Sequence, residues 1–113
     1  MKKLFLLVVC VFFTQTTFAQ TVSVEDWDNN GVLEYVKTSE DGTKLEEGSI
    51  IDGQYHGKWT SYFSDGNIRV VAYFKMGKKN GTWKFFNQEG LLTHEVTYED
   101  NKRVSASVTR YFE

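Results

Sequence analysis

The side chains best equipped for chemistry in this chain are His56 and His94, and neither has the company that chemistry needs. They stand apart, with no His-x-His or His-x-x-x-His spacing, so they do not make a zinc site. His56 lies between Gly53 and Gly57 and reads as a polar turn residue. His94 falls on the apolar side of an alternating run and reads as a half-buried core residue bonded to a neighbour. Carboxylates are plentiful, but a glycosidase-like pair must face each other across one cleft. Glu46-Glu47 and Glu99-Asp100 are adjacent, so in strands their side chains point apart. Ser61, Ser105 and Ser107 lack a Gly-x-Ser-x-Gly elbow and a nearby histidine base. Asp26, Asp28 and Asn30 before Gly31 faintly resemble a calcium loop, but Lys37 occupies the place of its closing Glu. Asn80-Gly81-Thr82 fits a glycosylation sequon, although its Asn and Gly are explained as turn residues. The expectation is a non-enzyme with no catalytic, metal or cofactor site.

The elements that would carry any site come in copies. Gly53-Gln54-Tyr55-His56-Gly57-Lys58-Trp59 returns 24 residues later as Gly77-Lys78-Lys79-Asn80-Gly81-Thr82-Trp83. Gly42, Gly66 and Gly90 keep the same interval, each preceded by an acid, and Gly53 and Gly77 align with Asn101. A fixed period of this length marks a repeat architecture with worn terminal units. Upstream, Tyr35 takes the Trp place; at the far end a one-residue slip aligns Val108 to Phe112 with Trp59 to Phe63.

Within each unit the pattern alternates with period two, as in a strand buried on one face. Ile68, Val70, Ala72 and Phe74 interleave with Arg69, Val71, Tyr73 and Lys75; Leu92, His94, Val96 and Tyr98 do the same with Thr93, Glu95, Thr97 and Glu99. Asp65-Gly66, Asn80-Gly81 and Glu89-Gly90 are hairpin-turn pairs that accept positive φ cheaply. A four-residue loop over 64–67 would set Phe63 opposite Ile68, Ser61 opposite Val70 and Trp59 opposite Ala72. The same rule sets Phe85 opposite His94 and Trp83 opposite Val96. The expected fold is all-β: an elongated, twisted, antiparallel meander of seven or eight strands, roughly 35 Å long at the ~4.8 Å spacing of neighbours.

Gly-x-Tyr-x-Gly-x-Trp at Gly53 to Trp59, Gly-x-x-x-Gly-x-Trp at Gly77 to Trp83 and the Asp/Glu-Gly turns resemble MORN repeats. The match is nearest to the bacterial variant of YwqK-type toxin–antitoxin antitoxin proteins and covers about residues 42–101. The resemblance implies a sheet of β-hairpin repeats that binds protein or lipid. For the antitoxin relatives it implies neutralisation of a partner toxin.

The first twenty residues read differently. Met1-Lys2-Lys3 is basic, Leu4 to Phe13 is apolar, and Thr17-Phe18-Ala19 puts small residues at −3 and −1 of a cut before Gln20. That order is a secretory signal peptide, and ten apolar residues fall short of the ~20 of a spanning helix. Cys10 sits inside the apolar run after Val8-Val9, which are not the small residues of a lipid-attachment site. The expected protein is therefore residues 20–113, one repeat domain without cysteine, exported to the periplasm, the cell surface or the medium. It must build a core from roughly 93 residues without disulfides.

Without Lys2 and Lys3 the formal charge falls from −2 to −4. Residues 20–57 carry nine acids against Lys37 and Lys44; residues 58–113 carry nine bases against six acids. Such asymmetry steers a partner or a head-to-tail contact, and neither half is basic enough for nucleic acid. Trp59, Phe63, Phe74, Trp83, Phe85 and Tyr98 should line one face, and Tyr62, Val71, Tyr73, Phe86 and Leu91 the other. A single-layer sheet does not bury both, and exposed aromatic surface marks protein contact. The candidate partner-binding residues are Tyr62, Val71, Tyr73 and Phe86, helped by Lys78, Lys79, Lys102 and Arg103 at one row of turns. Those bases also suit an anionic lipid surface, each adding about 1 kcal/mol near it.

Overall fold

The computed structural model describes residues 7–13, 16–26 and 29–111; Met1-Lys2-Lys3, Thr14, Trp27, Asp28 and Phe112 lie outside them. The described chain is one open antiparallel sheet, and no helix occurs among the described residues. The strands are β1 (Leu7–Phe13), β2 (Thr16–Glu25), β3 (Val32–Thr38), β4 (Lys44–Ile51), β5 (Gln54–Tyr62), β6 (Ile68–Lys75), the two-residue β7 (Lys78–Lys79), β8 (Gly81–Phe86), β9 (Leu92–Glu99) and β10 (Lys102–Val108). They follow one another in chain order, with β7 beside β6. The longest extent is 53 Å. Of the nine strands along the path, β1 falls in the segment read as a leader, which leaves eight, within the seven or eight expected.

The repeat is written into the backbone hydrogen bonds. Gly42, Gly66 and Gly90 donate to the carbonyls of Ser39, Phe63 and Asn87, and those three residues donate in turn to Thr43, Asn67 and Leu91. At the other end of the strands, Asp52-Gly53, Met76-Gly77 and Asp100-Asn101 all take positive φ at both positions. These are two-residue turns of the type I′ kind, whose twist matches that of the strands they join. The hairpins thus turn at Met76-Gly77 rather than at Asn80-Gly81. Asn80 instead breaks the strand between β7 and β8, and its N–H donates to the Tyr73 carbonyl. Its counterpart His56 is a strand residue, not a turn residue, and its Nδ1 accepts the N–H of Met76 at 3.1 Å.

Register is shared between copies. Between β4 and β5 the pairing moves from Ser49↔His56 to Glu47↔Thr60; between β6 and the β7–β8 pair it moves from Phe74↔Lys79 to Val71↔Lys84. In each case two extra residues bulge from the second strand at the same place in the unit, beside Gly57 or Gly81. The pairs Ser61↔Val70, Trp59↔Ala72, Phe85↔His94 and Trp83↔Val96 occur as expected.

Phe63 does not face Ile68. The Phe63 N–H bonds to the Asn67 carbonyl, and a bulge sets Tyr62 opposite Ile68. Phe86 opposite Leu92 repeats it. Ile68 therefore shares a groove with Tyr62 instead of the face of Val70. The terminal slip runs the other way from the expected one. Between β9 and β10 only one extra residue bulges, so Ala106, not Val108, faces Val96 in the place that Trp83 holds from the other side.

At the N-terminal end, Leu7 to Val11 pair with Val24 to Gln20, so the segment read as a leader runs as a strand beside β2. Its valines suit an extended backbone. The pairing of β2 with β3 begins at Thr21 and uses nothing before Gln20.

The core is centred on a row running across the sheet, in which Val24, Tyr35, Gly48, Trp59, Ala72, Trp83 and Val96 follow in neighbouring strands and the exposed Ala106 ends the line. Small residues alternate with large rings. Trp59 is the most buried of them at 4 % exposure, walled by Tyr35 at 5.1 Å, Tyr55 stacked at 3.9 Å and Phe74 edge-on at 6.3 Å. Its indole lies over Gly48, where a Cβ would fall 2.1 Å from the ring. Replacing Gly48 by Ala should therefore lift the indole and cost about 1–3 kcal/mol, the range of overpacked sites. A lowered denaturation midpoint with red-shifted tryptophan emission is expected; an unchanged midpoint and spectrum would show that the indole does not rest there.

Candidate functional site

The two faces of the sheet have different chemistry. On the first, the rings continue from Trp59 through Phe74 to Trp83 and Tyr98, with centroids 5.2 and 5.3 Å apart along the last two steps. Both indoles are fastened alike: Trp59 Nε1–H donates to the Ser49 carbonyl at 3.1 Å and Trp83 Nε1–H to the Tyr73 carbonyl at 3.0 Å. Where the first copy stacks Tyr55 on Trp59, the second sets Lys79 with Nζ 5.1 Å from the Trp83 ring and 5.0 Å from the Tyr98 ring. Lys79 is thus half-buried in a cation–π contact on the aromatic face and does not stand with the bases at the turns. His94 closes the row by stacking on Phe85 at 4.2 Å, and its Nδ1 lies 3.0 Å from Thr93 Oγ1. It is the half-buried, hydrogen-bonded histidine that its place in the pattern suggested.

The second face is polar and grooved. A shallow depression of about 260 Å³ is lined by Glu34, Glu47, Ser49, Lys58, Tyr62 and Ile68, among others. Thr60 forms part of its floor and is buried. Glu47 organises it. Its carboxylate takes Lys44 Nζ at 2.7 Å and the Tyr62 hydroxyl at 2.6 Å. The bond from Lys44, then that from Tyr62, holds the Glu47 carboxyl below its ordinary value, against the opposing effect of burial. Burial, followed by the bond to the Glu47 carboxylate, pushes the Tyr62 phenol up to about 12. Ser49 Oγ donates weakly to Glu34 at 3.4 Å. Beyond the groove, Tyr73 is 37 % exposed, Val71 and Phe86 are half-buried, and Thr82 and Thr97 hydroxyls meet at 3.0 Å.

The expected contact residues are therefore only partly brought together. Tyr62, Val71, Tyr73 and Phe86 share the face, but polar residues separate them: Val71 pairs with Thr60 and Lys84, and Tyr73 with Lys58. Tyr62 is tied to Glu47. Lys78 and Lys102 each follow a type I′ turn, so they stand at one end of the strands with Arg103, all exposed. The sequence pattern alone did not single out Glu34, Glu47 and Lys58. A signal was present for Glu34 and Lys58, since positions 34, 58 and 82 share one place in the repeat.

Among the described residues no three His, Cys, Asp or Glu side chains converge as metal ligands. Asp26, read as part of a faint calcium loop, is buried and accepts the N–H groups of Asn30 and Gly31 at 3.2 and 3.3 Å. Asp41 acts locally in the same way, and the Ser39 hydroxyl, then the Thr43 N–H, hold its carboxyl down at about 2. These carboxylates shape loops.

The arrangement is that of an open, single-layer repeat sheet, with an aromatic face that holds it together and a polar, tyrosine-bearing face turned outward. Comparison with protein-family models, with curated proteins and with solved structures gave no match.

The Glu47–Tyr62 bond fixes a pH dependence. Glu47, with its folded value depressed, stabilises the fold above its ordinary carboxyl range, and that contribution is lost as pH falls through the depressed value. Tyr62, with its folded value raised, contributes below the ordinary 10.0 and loses that contribution as pH rises through about 12. Tyr62→Phe should cost about 1 kcal/mol, the partial exposure keeping the figure low for a charged acceptor. It should also raise the Glu47 titration midpoint seen by carboxyl NMR. A Glu47 midpoint that does not move would remove the bond.

Proposed function

We propose that this chain is a non-catalytic, exported binding module of the MORN-like class, which takes a protein partner on its outward face. The observation that carries the reading is the division of labour between faces. The aromatic side encloses Trp59 and supplies the packing. Neither side has a second layer over it among the described residues, and the opposite side presents Tyr62, Val71, Tyr73 and Phe86 among Glu47, Lys58 and Lys84. Tyrosines amid mixed charge are a composition suited to protein contact, the rings giving area at low entropic cost and the charges giving register. The resemblance to MORN repeats supports the same class and rests on the motif residues themselves. Export rests on the order of residues 1–19.

A pull-down from an envelope extract tests this. The Tyr62→Ser/Tyr73→Ser variant, shown to be folded by its near-ultraviolet circular dichroism, should lose a partner that the wild type retains. Equal recovery of every species by the two proteins would sink the reading. An antitoxin role would show as a toxin among the captured species. Anionic-vesicle flotation that depends on Lys78, Lys102 and Arg103 would move the function to a lipid surface.

A further inference from the structure

We propose that the processed chain associates head to tail with further copies of itself, β10 of one molecule pairing antiparallel with β2 of the next. The inference rests on the export reading, since the pairing needs residues 1–19 to be removed. Its starting point is the place of each edge strand in the repeat. Strands alternate between two kinds: those carrying the small member of the central row (β2, β4, β6, β9) and those carrying the large one (β3, β5, β8). β10 stands in the second place, with Ala106 where Trp59 and Trp83 stand in their units. A strand of the first kind should follow it, and none does among the described residues. β2 is a strand of the first kind, with Val24 in the place of Gly48 and Ala72.

Setting β2 of a second copy against β10, in the register that Trp59 and Ala72 define, puts Ala106 opposite Val24. Val108 then lies opposite Val22 and Ser107 opposite Ser23. The central row runs on without a break, from Val96 and Ala106 to Val24 and Tyr35 of the next molecule.

Three further observations favour this occupant. First, β10 is exposed along its whole length, with Val104 at 52 % and Val108 at 73 %, and the unpaired backbone groups of such an open edge are a template for another strand. Second, the charges complement. The register sets Ser105 opposite Glu25 and Val104 opposite Asp26 of the second copy, so Lys102-Arg103 comes just past those acids and the basic end of one molecule meets the acidic end of the next. Third, the edge of β2 that β10 would take, Gln20 to Val24, is the one that Val11 to Leu7 occupies before processing. The leader strand thus blocks the tail of the precursor, and its removal opens the site. The contact joins unlike surfaces and does not close on itself, so it builds open chains rather than a dimer.

The test begins with protein recovered from the envelope and its intact mass. A mass starting at Gln20 is expected; retention of residues 1–19 would overturn both the export reading and the inference. Light scattering on the processed protein should then show a mass that grows with concentration beyond a dimer and falls with salt. Lys102→Glu/Arg103→Glu should return it to monomer without loss of thermal stability. A processed protein that stays monomeric at every concentration would overturn the inference and leave export standing. Because no cysteine follows Cys10, a Val24→Cys/Ala106→Cys pair reports the register directly. These positions lie on strands at opposite ends of the sheet path, so only neighbouring molecules can bring them together. Oxidation should give a ladder of linked chains, whereas Ser23→Cys/Ala106→Cys, on opposite faces, should not. Equal ladders, or none from the first pair, would rule the proposed register out.

Discussion

The structure depends on an indole laid flat across the strand beside it. Trp59 covers Gly48 and hands its Nε1–H to the Ser49 carbonyl, and Trp83 repeats the bond 24 residues later with Tyr73. The arrangement solves a problem particular to a single-layer sheet. With no second layer to bury a face, apolar side chains must lie down on their own sheet to escape water. A ring can do so only if the position beneath it is small. Gly48 and Ala72 supply that space, and the two-residue bulges at Gly57 and Gly81 accompany it in each copy. The Nε1–H bond then satisfies the one polar atom that burial would otherwise leave stranded.

The same constraint explains how the ends of the array differ from its middle. Toward the N-terminus the large place is filled by Tyr35, which still reaches Trp59 at 5.1 Å. Toward the C-terminus the bulge shrinks from two extra residues to one and the large place holds Ala106. Without a ring there is nothing to lie over Val96, and β10 is exposed throughout. Burial therefore peaks at Trp59 and fades outward in both directions, as expected when each unit is stabilised mainly by its neighbours.

Much of this was legible in the residues because glycine and tryptophan are read by backbone and volume alone. The period of 24, the antiparallel meander and the pairs Trp59↔Ala72 and Trp83↔Val96 follow from a two-residue alternation between fixed turns. What was misread lies where a bulge breaks that alternation. Ile68 and Leu92 look like members of the apolar row, but one residue of slippage beside each sends them to the other face. Asn80-Gly81 carries the residues of a tight turn and forms a bulge instead, because Met76, a poor candidate for positive φ, takes the turn with Gly77. The His56 imidazole, accepting the Met76 N–H in that corner, binds successive hairpins together, a contact between copies that no single-unit pattern displays.

The outward face was the less legible one for a related reason. Its character comes from which strands sit side by side, and the bulges decide that. Tyr62 looked like a free aromatic; the register places it within 2.6 Å of Glu47, fifteen residues away and across a strand boundary. Lys79 looked like one base among four at a row of turns; its position equals that of Tyr55, so its side chain is drawn over Trp83 and Tyr98. In both cases the place within the repeat outweighed the residue type. A tyrosine in the groove became a hydrogen-bond donor, and a lysine in the aromatic row became part of the packing. The aromatic surface left free on that face is consequently narrower and more polar than its composition suggests. A partner taken there, as proposed, would meet Tyr73, Val71 and Phe86 set among fixed charges rather than a continuous apolar patch.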